Sequence, residues 1–318
     1  MLPRLSQVAR HLSVSSRLAA TLVQCKLRPS PASSLRMASP TIHTAACLVI
    51  GDEVLGGKTE DTNSAYVAKW CFSLGISLKR IEVIEDDEGE IMEAVRRISH
   101  RYDFVVTSGG IGPTHDDITY QSIAKAFGLP LKLHRETLER MKKLSRKPPS
   151  GPDFDWDTDT PALRAKLRMA QLPTDESRPM SEQVIYPAES LWVPISVVNG
   201  NVHILPGIPD LFVKLLDSLK PHVLPRLVDP EGKGTTRILI STPIPESEIA
   251  GYLDKLSSEV GSKGIKVGSY PRWGKTTNTV TLVGRDKALL ESLVPEVERN
   301  VGGKRVMFEG EDDDQDAL

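Results

Sequence analysis

From residue 44 the chain alternates between short apolar runs and stretches of helical period. Ala45–Ile50 (AACLVI) is a continuous apolar run that breaks at Gly51-Asp52-Glu53, the pattern of a strand buried on both faces. Asp61 stands before a helix whose stripe is Tyr66, Val67, Trp70 and Leu74, with Gly75 at its end. Ile76–Ile84 reads as the next strand, and Glu85-Asp86-Asp87 follows it. Glu88–His100 then places Ile91, Val95 and Ile98 on one helical face. Phe104–Thr107 is a third strand ending at Ser108-Gly109-Gly110, and Thr119–Phe127 is a helix stopped by Gly128 and Pro130.

Strands separated by helix-length crossovers pair in parallel, with helices on both faces. Three segments leave a strand directly: Gly51-Asp52-Glu53, Glu85-Asp86-Asp87 and residues 108–117. In a parallel sheet all three open on the carboxyl edge, where open α/β sheets bind ligands.

Residues 145–190 interrupt the pattern. Pro148, Pro149, Gly151, Pro152 and the run Asp153–Asp159 read as an irregular insertion. Leu191–Val198 and Val202–Leu205 flank Asn199-Gly200-Asn201, a hairpin signal. Leu205-Pro206-Gly207-Ile208-Pro209 leads into a helix expected to be capped by Asp210. After Pro225 the order is strand Thr236–Ser241, helix Glu246–Val260, strands Lys266–Tyr270 and Thr279–Val283, and helix Asp286–Val301, a small α+β domain. The expected divisions are 1–40, 41–225, 226–308 and an acidic tail, 309–318.

Charge changes the picture at the amino end. The 318 residues carry a formal charge of −2, but residues 1–51 contain no Asp or Glu. Of the 40 Lys and Arg, six (Arg4, Arg10, Arg17, Lys26, Arg28 and Arg36) lie there, which leaves 34 bases against 42 acids, a net of −8. A body that acidic is a poor general binder of nucleic-acid backbone. Residues 1–40, acid-free and rich in Arg and Ser, have the composition of a mitochondrial transit peptide. Met37 offers a second start and predicts a shorter cytoplasmic form. No run approaches the ~20 apolar residues of a membrane helix, so no membrane insertion is expected. Cys25, Cys47 and Cys71 match no zinc or redox spacing; Cys47 and Cys71 read as buried hydrophobes.

Candidate chemistry concentrates in Ser108-Gly109-Gly110-Ile111-Gly112-Pro113-Thr114-His115-Asp116-Asp117. Glycines at a strand end let backbone approach a ligand, and amides before a helix at Thr119 suit phosphate. Asp116 and Asp117 suit a divalent ion rather than phosphate itself. The dinucleotide pattern fails at His115 and the P-loop pattern at Asp52. Gly51, Asp52, Glu53, Asp61, Asn63 and Asp86 join the candidates by their places on the rim. Gly207 shapes a rigid turn. Arg272 and Trp273, in Gly268-Ser269-Tyr270-Pro271-Arg272-Trp273-Gly274, are candidates to grip a phosphate and stack on a ring.

Gly51-Asp52-Glu53, Asp61-Thr62-Asn63, Asp86-Asp87 and Ser108–Thr119 resemble the molybdopterin-binding domain. That domain occurs in molybdopterin adenylyltransferases, bacterial competence-damage-inducible proteins and the amino-terminal region of eukaryotic FAD synthases. Leu205-Pro206-Gly207-Ile208-Pro209-Asp210-Leu211 and Gly268-Ser269-Tyr270-Pro271-x-Trp273-Gly274 resemble the FAD synthase branch, and the similarity spans roughly 44–300. The resemblance implies a three-layer α/β/α fold with a mainly parallel sheet and a nucleotide or pterin substrate, FAD favoured. It implies catalytic aspartates at Asp86 and Asp117. It also implies metal-dependent cleavage of FAD to FMN and AMP, with Mg, Mn or Co held by Asp86, Asp116 and Asp117. Amides of Gly109, Gly110 and Gly112 would hold the diphosphate, beside Thr114. Ser108, Pro113 and Thr119 complete the expected binding set.

Trimers occur in the wider family, so a homo-oligomer is an open expectation. Tyr186–Val198 lacks the glycine-bearing segment of the bacterial proteins, which favours the FAD synthase branch. No counterpart of the FAD-making domain is recognised, so FAD synthesis is not expected. The alternatives are molybdopterin adenylyl transfer and a flavin or pterin carrier without turnover.

Overall fold

A computed structural model of the chain describes residues 41–145, 153–186, 188–231 and 234–312. The expected transit peptide with Met37 and Cys25, the prolines at 148–152 and residues 313–318 of the acidic tail lie outside them.

Among the described residues twelve strands run in chain order: β1 (Thr44–Ile50), β2 (Ser77–Ile84), β3 (Phe104–Ser108), β4 (Leu131–Leu133), β5 (Gln171–Pro173), β6 (Val184–Ile185), β7 (Ile195–Val198), β8 (Val202–Leu205), β9 (Thr236–Thr242), β10 (Lys266–Tyr270), β11 (Asn278–Gly284) and β12 (Lys304–Val306). The main sheet has the order β2-β1-β3-β8-β7-β6. Its first four strands are mutually parallel, and β7 alone is reversed, pairing antiparallel with β8 on one side and with the edge strand β6 on the other.

The unbroken apolar run of β1 follows from having helices on both faces. Ala45, Cys47 and Val49 pack with Val67, Trp70 and Cys71 of helix Asn63–Ser73 and with Phe212, Leu215 and Leu216 of helix Pro209–Ser218. Ala46, Leu48 and Ile50 face the other way, onto Ile91, Val95 and Ile98 of helix Glu88–Arg101 and Ile123 of helix Thr119–Ala126. Two apolar cores separated by a sheet make a three-layer α/β/α domain. Cys47 and Cys71 are buried in the first core, and burial pushes both thiols up. His203 is equally structural: it packs on Phe104 and its Nδ1 lies 3.0 Å from the Asn201 carbonyl.

The Asn-Gly signal is a tight turn with φ of 52° at Asn199 and 74° at Gly200, closed by Asn201 N donating to the Val198 carbonyl. Asp61 accepts from Ser64 N at 2.9 Å, as its position before the helix predicts. Asp210 does not cap: Pro209 already opens that helix, and Asp210 lies in its first turn, where a carboxylate favours the positive end of the helix.

The irregular reading of 145–190 is corrected. Helix Pro161–Arg168 starts there, because Thr160 Oγ1 accepts from Leu163 N and Pro161 sits where no amide bond is needed. β5 pairs with β4, and β6 extends the main sheet.

The carboxyl-terminal elements form a separate antiparallel sheet, β10-β11-β9-β12, backed by helices Glu246–Gly261 and Lys287–Val301 around a third core. Only the three-residue β12 is absent from the sequence reading. Thr235 N donates to the Phe72 carbonyl, and the Arg285 guanidinium donates to the Gly75 carbonyl, joining this sheet to the first domain.

Candidate active site

Because β1, β2 and β3 are parallel, their carboxyl ends bring Gly51, Asp86 and Gly109 to one edge. The first two strand ends are tied reciprocally. Asp52 N donates to Asp86 Oδ2 at 3.0 Å, and Asp86 N donates to Asp52 Oδ1 at 3.3 Å. Burial raises the affinity of the Asp86 carboxyl for its proton. The Asp52 N–H opposes this, and the charges of Asp52, Glu53 and Asp116 then raise it further. The expected juxtaposition of Asp52, Glu53 and Asp86 is therefore present, and it is a cluster of like charges.

At the end of β3 the chain needs glycine. Gly109 has φ 108°, and a Cβ there would lie 2.1 Å from the Ile50 carbonyl oxygen. Gly110 has φ 65°, and its Cβ would meet Thr119 Oγ1 at 2.2 Å and Asp86 Oδ1 at 3.4 Å. The loop folds on itself through Asp117. Its Oδ1 accepts from Gly112 N at 2.6 Å, and its Oδ2 accepts from Thr114 N at 2.8 Å and Thr114 Oγ1 at 2.5 Å. Thr119 closes the segment, its N donating to the Gly110 carbonyl and its Oγ1 to that of Gly109.

These bonds correct two expectations. Gly109 N donates to the Leu205 carbonyl and Gly112 N to Asp117, so two of the three amides assigned to a diphosphate are already used within the protein. Nor do Asp86, Asp116 and Asp117 assemble as a metal triad. Among the described residues no group of three His, Cys, Asp or Glu side chains converges as metal ligands. Both oxygens of Asp117 are taken up by the loop. Asp116 is exposed. His115 is fully exposed, 3.8 Å from Asp116.

Beside the loop lies a cavity of about 470 Å³. Gly109, Gly110, Gly112, Pro113, Asp117 and Glu53 form its polar side; Trp192, Met169, Ile208 and Leu211 form its apolar side. Gly207 also lines it, close against Gly109. Asn63, at the start of its helix, donates Nδ2 to Ser108 Oγ at 2.9 Å and to the Gly207 carbonyl at 2.8 Å. It thus pins β3 to the turn after β8. Its Oδ1 is buried without a hydrogen-bond partner. A smaller recess is lined by Ile50, Glu53, Asp61, Asn63 and Ser108.

Sequence reasoning missed Trp192, Met169 and Arg168. Arg168 Nη2 donates to the Asp117 carbonyl at 3.0 Å, so the segment read as an insertion buttresses the site loop. The density of Pro and Asp before it concealed the helix that carries Arg168 and leads to Met169. Arg272 and Trp273 lie in the turn between β10 and β11, and neither lines this cavity. Trp273 is fully exposed, and Arg272 Nη1 donates to Thr277 Oγ1 at 3.2 Å.

Residues 46–226 match the family model described as a probable molybdopterin binding domain. The chain belongs to this molybdopterin-binding-domain family. Among similar proteins, one named probable FAD synthase from Caenorhabditis elegans is 29% identical over 281 residues, covering 85% of this chain and 52% of that protein. The chain thus spans about half the length of that relative. A Pyrococcus horikoshii protein is 33% identical over 271 residues, covering 83% of this chain and 96% of its own length. A CinA-like protein from Anaeromyxobacter dehalogenans is 27% identical over 275 residues, covering 84% of this chain and 61% of that one. Among solved structures, CinA from Thermoplasma acidophilum is 30% identical, with a TM-score of 0.46 over 57% of this chain and 98% of that chain.

Proposed function

We propose that the chain is an enzyme that hydrolyses a dinucleotide diphosphate, with FAD as substrate and FMN and AMP as products. The observation that carries the reading is the cavity itself: an apolar chamber with an indole wall opens directly onto glycine backbone and carboxylates. A ring-bearing diphosphate has that division. The relatives named FAD synthase support flavin as the ring.

In this reading Trp192 and Met169 hold the ring. The Gly109–Gly112 backbone admits the diphosphate close to the strand end, where a side chain would block it. Asp86 in its ionised form takes the proton of the attacking water as its oxygen bonds to phosphorus and the anhydride P–O bond breaks. Asp117 positions the loop rather than reacting, because its oxygens already accept three hydrogen bonds.

The donors present fit a hard cation. They are carboxylates, and the mutual repulsion around Asp86 is what a cation would relieve. With no group of three among the described residues, such an ion would be held by Asp86 and a neighbouring carboxylate, with substrate phosphate oxygens completing its shell. Bound there, Mg, Mn or Co would neutralise charge on the diphosphate.

The test is a product assay on the purified chain with FAD and Mg²⁺, Mn²⁺ or Co²⁺, with and without chelator, beside Asp86→Asn. Metal-dependent release of FMN and AMP, lost in the variant, is expected. Tight binding of FAD or a pterin with no release under any metal would overturn hydrolysis. Transfer of AMP to an added pterin would favour the adenylyltransferase reading instead.

A further inference from the structure

A cleft of about 630 Å³ lies where the carboxyl-terminal sheet meets the first domain. Its walls come from both: Phe72, Gly75 and Leu78 on one side, Lys263, Lys266 and Arg285 on the other. We propose that this cleft is a second small-molecule site, for a phosphorylated ligand bearing a ring, of the nucleotide class.

Three observations combine. First, the body of the chain is acidic, with a net of −8 beyond residue 51, yet three cations converge on this one cleft. Its one carboxylate, Asp286, is engaged at 2.9 Å by Leu289 N as the cap of the following helix. Second, the cations are available and one is preset. Neither Lys263 nor Lys266 has a carboxylate partner among the described residues. The Arg285 guanidinium is held by the Gly75 carbonyl, so its position is fixed in advance, and its remaining donors suit a phosphate. Third, Phe72, Leu78 and Val283 supply apolar surface beside those charges, which a free phosphate would leave exposed but a nucleotide's ring would cover.

The cleft is distinct from the candidate active site. It takes in Ser77 and Leu78, the first residues of β2, whereas Asp86 follows the last. The two sites therefore occupy opposite edges of the main sheet.

The probe is the fluorescent trinitrophenyl derivative of ATP, titrated into the whole protein. Lys263→Ala/Lys266→Ala should weaken its binding by about tenfold or more, the loss of two charge-assisted contacts. Lys142→Ala/Lys143→Ala, which removes the same charge elsewhere, should leave that binding unchanged. Equal weakening by both lysine pairs would reduce the effect to general electrostatics and overturn the site. So would unchanged binding in Lys263→Ala/Lys266→Ala. Failure of FAD cleavage bears on the front cavity alone and leaves this result standing.

Discussion

Replacing Gly109 by alanine is the sharpest perturbation of the site that the backbone allows. The new Cβ would lie 2.1 Å from the Ile50 carbonyl oxygen. An unstrained carbon–oxygen contact is about 3.3 Å, so the atoms must separate by about 1.2 Å. Neither partner can rotate away, because the obstacle is backbone, and Val49 and Ser108 beside it are paired in the sheet. The φ of 108° adds strain for any residue with a side chain. Overpacking costs about 1–3 kcal/mol and strained backbone a similar amount, so the expected loss is about 2–6 kcal/mol. Urea unfolding followed by tryptophan fluorescence reads it, since Trp70 stacks on Phe104 within the same domain. Gly251→Ala is the internal control. That glycine lies within helix Glu246–Gly261 with open space around it, and alanine there should stabilise by about 0.5–1 kcal/mol. An unfolding midpoint for Gly109→Ala at or above that of the unaltered protein would refute the reasoning.

Other consequences follow from the acidic rim. The Asp86 carboxyl has its proton affinity raised on folding, so its contribution to stability is full below the ordinary aspartate range and lost as pH rises through the raised value. Asp86→Asn keeps an acceptor for Asp52 N and should raise the melting temperature at neutral pH in chelator; a lower one would contradict the like-charge account. Asp117→Asn puts an amide against donors it cannot all satisfy. It should cost about 1–3 kcal/mol locally, read as faster hydrogen exchange at Gly112 and Thr114. Trp192→Ala should weaken FAD binding by about tenfold, the worth of one stacked ring, measured by flavin fluorescence. The protein recovered from mitochondria should lack the transit-peptide-like segment within residues 1–40 and keep β1; amino-terminal sequencing that finds Met1 retained there would refute the transit-peptide reading.

The elements of the sheet were legible because each had enough length to show its period. Both faces of β1 are covered, so it reads as unbroken apolar sequence, and the stripe of Ile91, Val95 and Ile98 marks one helical face. Strands of two or three residues, such as β6 and β12, have no period to show. At the site, residue types identified the rim, but a sequence does not say what a carboxylate is bonded to. Asp86 and Asp117 look alike in the chain. One faces like charges and the other accepts three hydrogen bonds from its own loop. Trp192 and Arg168 were hidden because each reaches the site from a segment with no motif.

The helix Asn63–Ser73 has 11 residues, about 16 Å from end to end. Its first residue holds Ser108 and Gly207 together, and Phe72 near its other end receives Thr235 from the second sheet. It is a strut between two joints. A rod buried along Val67, Trp70 and Cys71 cannot tilt at one joint without tilting at the other. The alignment of the glycine loop and the seating of the small domain are thus gauged from a single piece, and a defect in that piece would be felt at both edges of the sheet.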